Sequence, residues 1–169
     1  MQSKRPAKQH TIDVLNANPN IKVIEKGEDL SKTRIEKAIC DLKVELSNRN
    51  NVYLCITTTN SFRDDRLDIA NTRMLRHKKI SQADNKNYIY IVTSNCDNER
   101  TTGDDAILLN EYNFGNREMI GIDLLVRTKD ISNLINAICN QPDTCDRNDL
   151  IVAGLDYLKQ IGYQTRCAD

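Results

Sequence analysis

Hydroxyl and amide side chains cluster at the ends of two segments that resemble each other. The segment from Val52 to Asn60 is apolar and ends in three threonines and an asparagine, and Tyr88 to Asn95 ends in Thr-Ser-Asn. β-Branched and aromatic residues dominate both, so each is predicted to be a β-strand. Ligands in open α/β sheets bind beyond the carboxyl ends of parallel strands. The residues predicted to form an anion pocket there are Thr58, Asn60, Ser94 and Asn95.

This anion pocket depends on the relative direction of the two strands. Parallel strands would bring both polar ends to one edge of the sheet, whereas antiparallel strands would separate them. Threonine and asparagine also end strands and cap helices without binding anything. The glycine-rich phosphate motifs G-x-G-x-x-G and G-x-x-x-x-G-K-[ST] are both absent from the sequence. The pocket is therefore a hypothesis that strand direction decides.

A second feature is the separation of charge along the chain. A basic run precedes the second strand, and its predicted contacts with a nucleic acid or an acidic protein are Arg73, Arg76, Lys78 and Lys79. An acidic segment follows that strand and contains Asp97, Glu99, Asp104, Asp105 and Glu111. A solvated helix face is the alternative explanation of the basic run. Opposite charge patches also suit self-association into a homo-oligomer.

Carboxylates give the best argument for an enzyme. Asp104 and Asp105 lie in a polar segment, and Asp123 interrupts an otherwise apolar predicted strand. A carboxylate in such a strand is costly unless it is paired, exposed or bound to a cation. The catalytic candidates are thus Asp104, Asp105 and Asp123, which would hold Mg²⁺ in a phosphoester-cleaving site. The alternative is that Asp123 points to solvent from an edge strand.

Other catalytic and metal-binding patterns are missing. The sequence has His10 and His77 as its histidines, no C-x-x-C pair and no G-x-S-x-G motif. Cys96 follows a predicted strand, but neighbouring acidic residues disfavour its thiolate. We therefore expect no structural metal site and no cofactor, with Mg²⁺ required only under the enzyme hypothesis.

The order of predicted elements indicates an α/β fold. Strands are predicted at 21–25, 52–59, 88–94 and 119–127, and helices at 9–16, 35–46, 67–77, 106–112, 131–138 and 150–161. The third helix follows from the apolar positions Leu67, Ala70 and Met74, and it would serve as the crossover between parallel strands. We predict a single-domain sheet of about four to five strands, at least partly parallel, with helices packed on its faces.

Composition limits the class of protein. The 169 residues suit one domain spanning 1–169, with a flexible basic tail at 1–8 and a frayed tail at 164–169. With 24 basic and 24 acidic residues, the chain has no bulk charge for coating nucleic acid. No apolar run approaches the length of a membrane span. Cys40, Cys55 and Cys139 lie in apolar segments, which favours buried thiols and an intracellular, cytoplasmic location.

Two functional hypotheses follow from these patterns. The first is a small binding or regulatory protein without catalysis, which contacts a nucleic acid or an acidic protein through the basic helix. The second is a Mg²⁺-dependent hydrolase or nuclease that acts on a nucleotide or phosphoester at the Thr/Ser/Asn strand ends. Binding to oligonucleotides across a salt series tests the first, and turnover with divalent metal tests the second.

Overall fold

The computed structural model describes residues 4–26, 41–47, 52–59, 64–83, 87–94 and 121–163. Within these ranges the chain forms five strands and four helices. The helices are α1 (Lys4–Asn16), α2 (Asp64–Ala83), α3 (Thr128–Cys139) and α4 (Arg147–Gln160). The strands are β1 (Ile21–Lys26), β2 (Leu42–Leu46), β3 (Val52–Thr59), β4 (Asn87–Ser94) and β5 (Leu124–Arg127).

The strands form one mixed sheet in the order β1-β2-β3-β4-β5. β1, β2 and β3 pair antiparallel, whereas β3, β4 and β5 pair in parallel. α2 supplies the crossover that a parallel connection from β3 to β4 requires. The predicted α/β class, with a partly parallel sheet and helices around it, is confirmed.

β2 corrects the prediction of a long second helix. Buried and partly exposed residues alternate along Leu42–Leu46, which pairs with β1 on one side and β3 on the other. Leu42 and Leu46 are four residues apart and fit a helical period, but together with buried Val44 they also fit the period of a half-buried strand. The helix prediction was therefore wrong at these residues. Its remaining apolar positions, Ile35, Ala38 and Ile39, lie outside the described residues.

Helices cover both faces of the sheet. The His77 ring of α2 lies edge-on to Tyr88 and Tyr90 of β4, with centroid distances of 4.6 and 5.6 Å. Successive side chains of a strand point to opposite faces. Thr93 of β4 therefore points away from α2, and its hydroxyl lies 3.1 Å from the hydroxyl of Thr128 in α3. The sheet thus separates α2 from α3.

α4 packs on the same face as α3. A Cβ placed on Gly154 of α4 would lie 3.1 Å from a methyl carbon of Leu124 and from one of Leu134. Leu124 pairs with Ile91, which points to the same face as Thr93. Asp146 caps α4: its carboxylate accepts the Asp149 N–H at 2.8 Å, and the Asp149 carboxylate accepts the Asp146 N–H at 3.2 Å.

Tyr163 fastens the described C-terminal end of the chain to the sheet. Its hydroxyl donates to Asp130 Oδ2 at 2.7 Å and accepts the Arg127 N–H at 3.0 Å. Burial is the main cause that raises the Tyr163 pKa far above its usual value, so the phenol stays neutral. The helix predicted at 131–138 begins earlier, at Thr128, so Asp130 lies in its first turn and accepts the tyrosine hydroxyl.

The structure describes part of the predicted N-terminal tail and two of the three cysteines that were expected to be buried thiols. α1 begins at Lys4, within the segment 1–8 that was expected to be a tail. The predicted tail 164–169 and the predicted helix 106–112 lie outside the described residues. Cys55 is disulfide-bonded, so the expectation of a buried thiol was wrong there, whereas Cys139 is a buried thiol.

None of the helices within the described ranges is long and apolar enough to cross a membrane.

Candidate functional site

The two strands with polar ends run parallel, as the pocket hypothesis requires. Their register pairs Thr58 with Thr93 and Thr59 with Ser94, so both carboxyl ends lie at the same edge of the sheet. The other two predicted pocket residues, Asn60 and Asn95, lie outside the described residues. The structure therefore brings Thr58 and Ser94 to one edge.

The threonines at this edge divide between the two faces. Thr58 donates its backbone N–H and its hydroxyl to Asp41 Oδ2, at 3.0 and 3.2 Å. These two bonds tie the end of β3 to the residue before β2. Because side chains alternate along a strand, Thr57 and Thr59 point to the opposite face, where α2 lies. Thr58 thus holds the edge together, and its neighbours face the helix.

A cavity of about 220 Å³ opens between this edge and α2. Its lining residues are Thr57, Thr58, Thr59 and Val92 from the sheet and Arg66, Ile69, Ala70 and Arg73 from α2. Sites for drug-sized ligands usually exceed about 300 Å³. This smaller, arginine-lined cavity suits a compact anion such as a single phosphate group.

The predicted basic contact residues separate into two groups. Arg73, Arg76 and Lys79 are exposed on α2, and Arg73 also lines the cavity. Lys78 instead forms an ion pair with Asp123 at 3.1 Å and is only 20% exposed. His77, which lies within the same run, is buried, and its Nδ1 is 2.7 Å from the hydroxyl of Tyr90.

Helix geometry explains this separation. The buried positions Leu67, Ala70, Met74 and His77 follow one another at intervals of three or four residues, and so occupy one side of α2. The sequence pattern places Arg66 on the same face of the helix as Arg73, two helical turns earlier, but Arg66 was not among the predicted contacts. The cavity that Arg66 lines together with Arg73 is what distinguishes it as a candidate contact.

Asp123 lies at the other end of the parallel strands and is the centre of an ion-pair cluster. Its carboxylate contacts Lys78 Nζ at 3.1 Å, contacts Arg147 Nη2 and accepts the Tyr90 N–H at 2.8 Å. Arg147 also donates from Nε to the Tyr88 carbonyl at 2.6 Å. The side chain of Asp123 is only 10% exposed, so the interpretation that it points to solvent was wrong.

The charge balance of this cluster differs from that of a metal site. Burial is the largest influence on the Lys78 pKa and lowers it, while the nearby Asp123 carboxylate raises it. Two cationic side chains thus already compensate the single carboxylate. Within the described ranges, no three His, Cys, Asp or Glu side chains come together as they would around a metal ion. The other carboxylate candidates, Asp104 and Asp105, lie outside those ranges.

Comparison with known proteins supports the fold. No family model matches the chain, and no curated protein matches it either. Among solved structures, the chain is similar to the small subunit of the heterodimeric restriction endonuclease R.BspD6I, with a TM-score of 0.51 and 13% sequence identity. The similarity covers 95% of this chain and 83% of that chain. At so low an identity, what the two proteins share is the fold.

Proposed function

We propose that this protein binds the phosphates of a nucleic acid through the arginine face of α2. By arginine face we mean Arg66, Arg73 and Arg76, three exposed residues of that helix. The strongest support for this proposal is the cavity at the carboxyl edge of β3, where Arg66 and Arg73 face threonines of the sheet. Neither arginine is needed there to pack the core, because both are exposed.

The arginine face has dimensions that suit a sugar-phosphate backbone. At 1.5 Å per residue, Arg66 and Arg76 lie about 15 Å apart along α2, within an arc of about 80° around it. Phosphates of one strand of duplex DNA repeat every 3.4 Å along the helix axis, so the face spans about four of them. The zero net charge of the chain means that binding depends on this local patch.

One phosphate is expected to enter the cavity between Arg66 and Arg73. Guanidinium groups bind phosphate oxygens through two parallel hydrogen bonds, which a lysine cannot do. The threonine edge adds polar groups below the two arginines. The fold similarity to a restriction endonuclease subunit supports a nucleic acid as the partner over an acidic protein.

We expect Arg66→Gln/Arg73→Gln to weaken oligonucleotide binding by at least about 100-fold at low salt, because losing one hydrogen bond to a charged group from each arginine, at about 1.5–3 kcal/mol, removes about 3–6 kcal/mol of binding free energy. The slope of log affinity against log salt concentration should become shallower by about 0.9 for duplex DNA, the value for the one phosphate that the two arginines hold. Fluorescence anisotropy with single- and double-stranded oligonucleotides measures both quantities.

Lys22→Gln/Lys129→Gln is the matched control, since it removes two exposed cations from other elements. It should leave the affinity and the salt slope close to those of the wild type. An absence of binding at low salt, or the same loss in both double variants, would contradict the proposal.

The Mg²⁺-dependent enzyme remains the second proposal, on two observations. The chain is similar in fold to a subunit of a restriction endonuclease. Asp41 also places a carboxylate at the threonine edge, through its bonds to Thr58. Incubation of oligonucleotides with Mg²⁺ or Mn²⁺ tests this proposal. Cleavage that is lost in Asp41→Asn, with oligonucleotide binding retained, would favour the enzyme over simple binding.

A further inference from the structure

Two helices of this protein carry surface stripes of the same spacing and opposite charge. The α2 stripe consists of the exposed residues Arg66, Ile69 and Arg73 together with buried Ala70 beside them, and the α4 stripe consists of Asp149, Val152, Ala153 and Asp156. Each has the pattern i, i+3, i+4, i+7, which places its members on one face of the helix. In each, an aliphatic residue and an alanine lie between two like charges.

The aliphatic residue at the centre of each stripe is unusually accessible. Ile69 is 50% exposed and Val152 is 53% exposed, the highest values among large hydrophobic residues in the described ranges. A single exposed aliphatic residue is ordinary on a protein surface. Ile69 lies between two arginines, and Val152 lies between two aspartates. The two stripes are therefore complementary in charge, and each offers an apolar residue for contact.

The distances along the helices also match. Seven residues of α-helix span about 10.5 Å, so the arginines of the α2 stripe and the aspartates of the α4 stripe have the same separation. If the two stripes face each other, both arginines can therefore pair with an aspartate at the same time, whether the helices run parallel or antiparallel. A groove of about 410 Å³ beside the α4 stripe, lined also by Tyr157 and Gln141, gives Ile69 a place to insert.

The two stripes cannot meet within one molecule, because α2 and α4 lie on opposite faces of the sheet. We infer that copies of this chain associate head to tail, with the α2 stripe of one copy packed on the α4 stripe of the next. Such a contact joins different surfaces on the two partners, so it can continue beyond a dimer. Because it depends on exposed ion pairs, it weakens as salt concentration rises.

This inference goes beyond nucleic-acid binding and has a consequence for it. Arg66 and Arg73 are shared between the phosphate cavity and the α2 stripe. An oligonucleotide and a second copy of the chain therefore compete for the same two arginines. Addition of an oligonucleotide that binds should release associated copies.

Sedimentation velocity across protein and salt concentrations tests the association. The wild type should increase in mass with concentration at low salt and approach its monomer mass of 19.3 kDa at high salt. Arg66→Glu/Arg73→Glu should remain monomeric, and so should Asp149→Asn/Asp156→Lys. Asparagine at position 149 keeps an oxygen that can accept the Asp146 N–H of the helix cap.

Mixing the two double variants provides a rescue. The intact α2 stripe of the Asp149→Asn/Asp156→Lys variant and the intact α4 stripe of the Arg66→Glu/Arg73→Glu variant should pair, which restores association only in the mixture. Lys22→Glu/Lys129→Glu is the charge-matched control and should associate like the wild type. Circular dichroism confirms that each variant is folded.

The outcomes separate this inference from the proposed function. A monomer at all concentrations in low salt would overturn the inference, as would association that persists in Asp149→Asn/Asp156→Lys. That variant retains all three residues of the arginine face, so it should still bind oligonucleotides. Association without any oligonucleotide binding would contradict the proposed function and leave the inference standing.

Discussion

Gly121→Ala is expected to lower the free energy of unfolding by about 3–5 kcal/mol, combining overpacking with lost hydrogen bonds. A Cβ at Gly121 would lie 2.2 Å from the backbone oxygen of Asn71 and 2.9 Å from the backbone nitrogen of Leu75. Both atoms belong to the backbone of α2, so no side-chain rotation relieves the clash. The chain must move away from the helix instead.

That movement would also break the hydrogen bonds that join Gly121 to α2. Asn71 Oδ1 accepts the N–H of Gly121 at 2.8 Å and the N–H of Ile122 at 3.2 Å. Asn71 thereby attaches the segment before β5 to the helix that carries the arginine face. Thermal or urea unfolding of Gly121→Ala measures the loss.

Gly154→Ala is the matched control for this prediction. Its Cβ would meet methyl carbons of Leu124 and Leu134 at 3.1 Å, and these side-chain ends can shift by a few tenths of an ångström. Alanine also gains about 1 kcal/mol over glycine inside a helix. We expect a change within about 1 kcal/mol. Equal losses in the two variants would show that the close approach of Gly121 to α2 is not the cause.

The sequence predicted that β3 and β4 are strands because the signals for them are local. β3 and β4 are continuous runs of β-branched and aromatic residues, and the long intervening segment carries a clear helical period at Leu67, Ala70 and Met74. The relative direction of the two strands has no such local signal, so the sequence alone left it open. The structure meets this condition for Thr58 and Ser94.

β2 could not be distinguished from a helix by its pattern alone. Leucines four residues apart satisfy both periods when the residue midway between them is also apolar. The decision came from tertiary structure: β1 and β3 flank this segment and pair with its backbone on both sides. Such pairing involves residues that are distant in sequence, so the local sequence pattern of this segment does not indicate it.

Basic residues that are neighbours in the sequence do not all lie on the same surface of the protein. Consecutive residues of a helix point about 100° apart, so a run from Arg73 to Lys79 cannot lie on one face. His77 falls on the buried side with Met74, and Lys78 reaches Asp123. The sequence pattern set the helical phase on Leu67, Ala70 and Met74 and placed His77 on another face with Arg73, which was wrong because position 77 follows Met74 by three residues and lies on the buried side. The pairing of Lys78 with Asp123, 45 residues away, required the structure.

Asp123→Ala is expected to lower the free energy of unfolding by about 3 kcal/mol, the scale for breaking a buried ion pair. The lost carboxylate leaves Lys78 and Arg147 without their shared partner, although both are partly exposed, at 20% and 28%. It also removes the acceptor of the Tyr90 N–H. For a domain of this size the melting temperature should fall by about 6–12 °C.

Two comparisons isolate the ion pair as the cause. Asp143→Ala removes an exposed carboxylate from the loop before α4 and should change stability by no more than about 0.5 kcal/mol. The double variant Asp123→Leu/Lys78→Met should lose less stability than the sum of its single variants, by about 1–3 kcal/mol. Strict additivity would contradict coupling between Asp123 and Lys78.

The pH dependence of Asp123→Ala follows from the Lys78 pKa. Burial already lowers this pKa below 10.5, and loss of the Asp123 attraction lowers it further. Between the folded and unfolded pKa values the unfolded state binds more protons, so this group contributes stability that rises with pH. The deficit of the variant relative to wild type should therefore be largest near pH 7 and decrease toward pH 10. A deficit independent of pH would exclude an uncompensated lysine charge as its cause.

This stability effect determines how Asp123 variants can be used to test catalysis. Under the enzyme hypothesis Asp123 is a metal ligand, and Asp123→Asn would abolish turnover. A lysine and an arginine already neutralise the carboxylate, so the same substitution also weakens the contact between α2, β4 and α4. Turnover must therefore be compared at a temperature where unfolding data show the variant to be fully folded. Activity that returns when the variant is cooled into its folded range would assign Asp123 a structural role. Activity absent from the folded variant would restore it as a catalytic candidate.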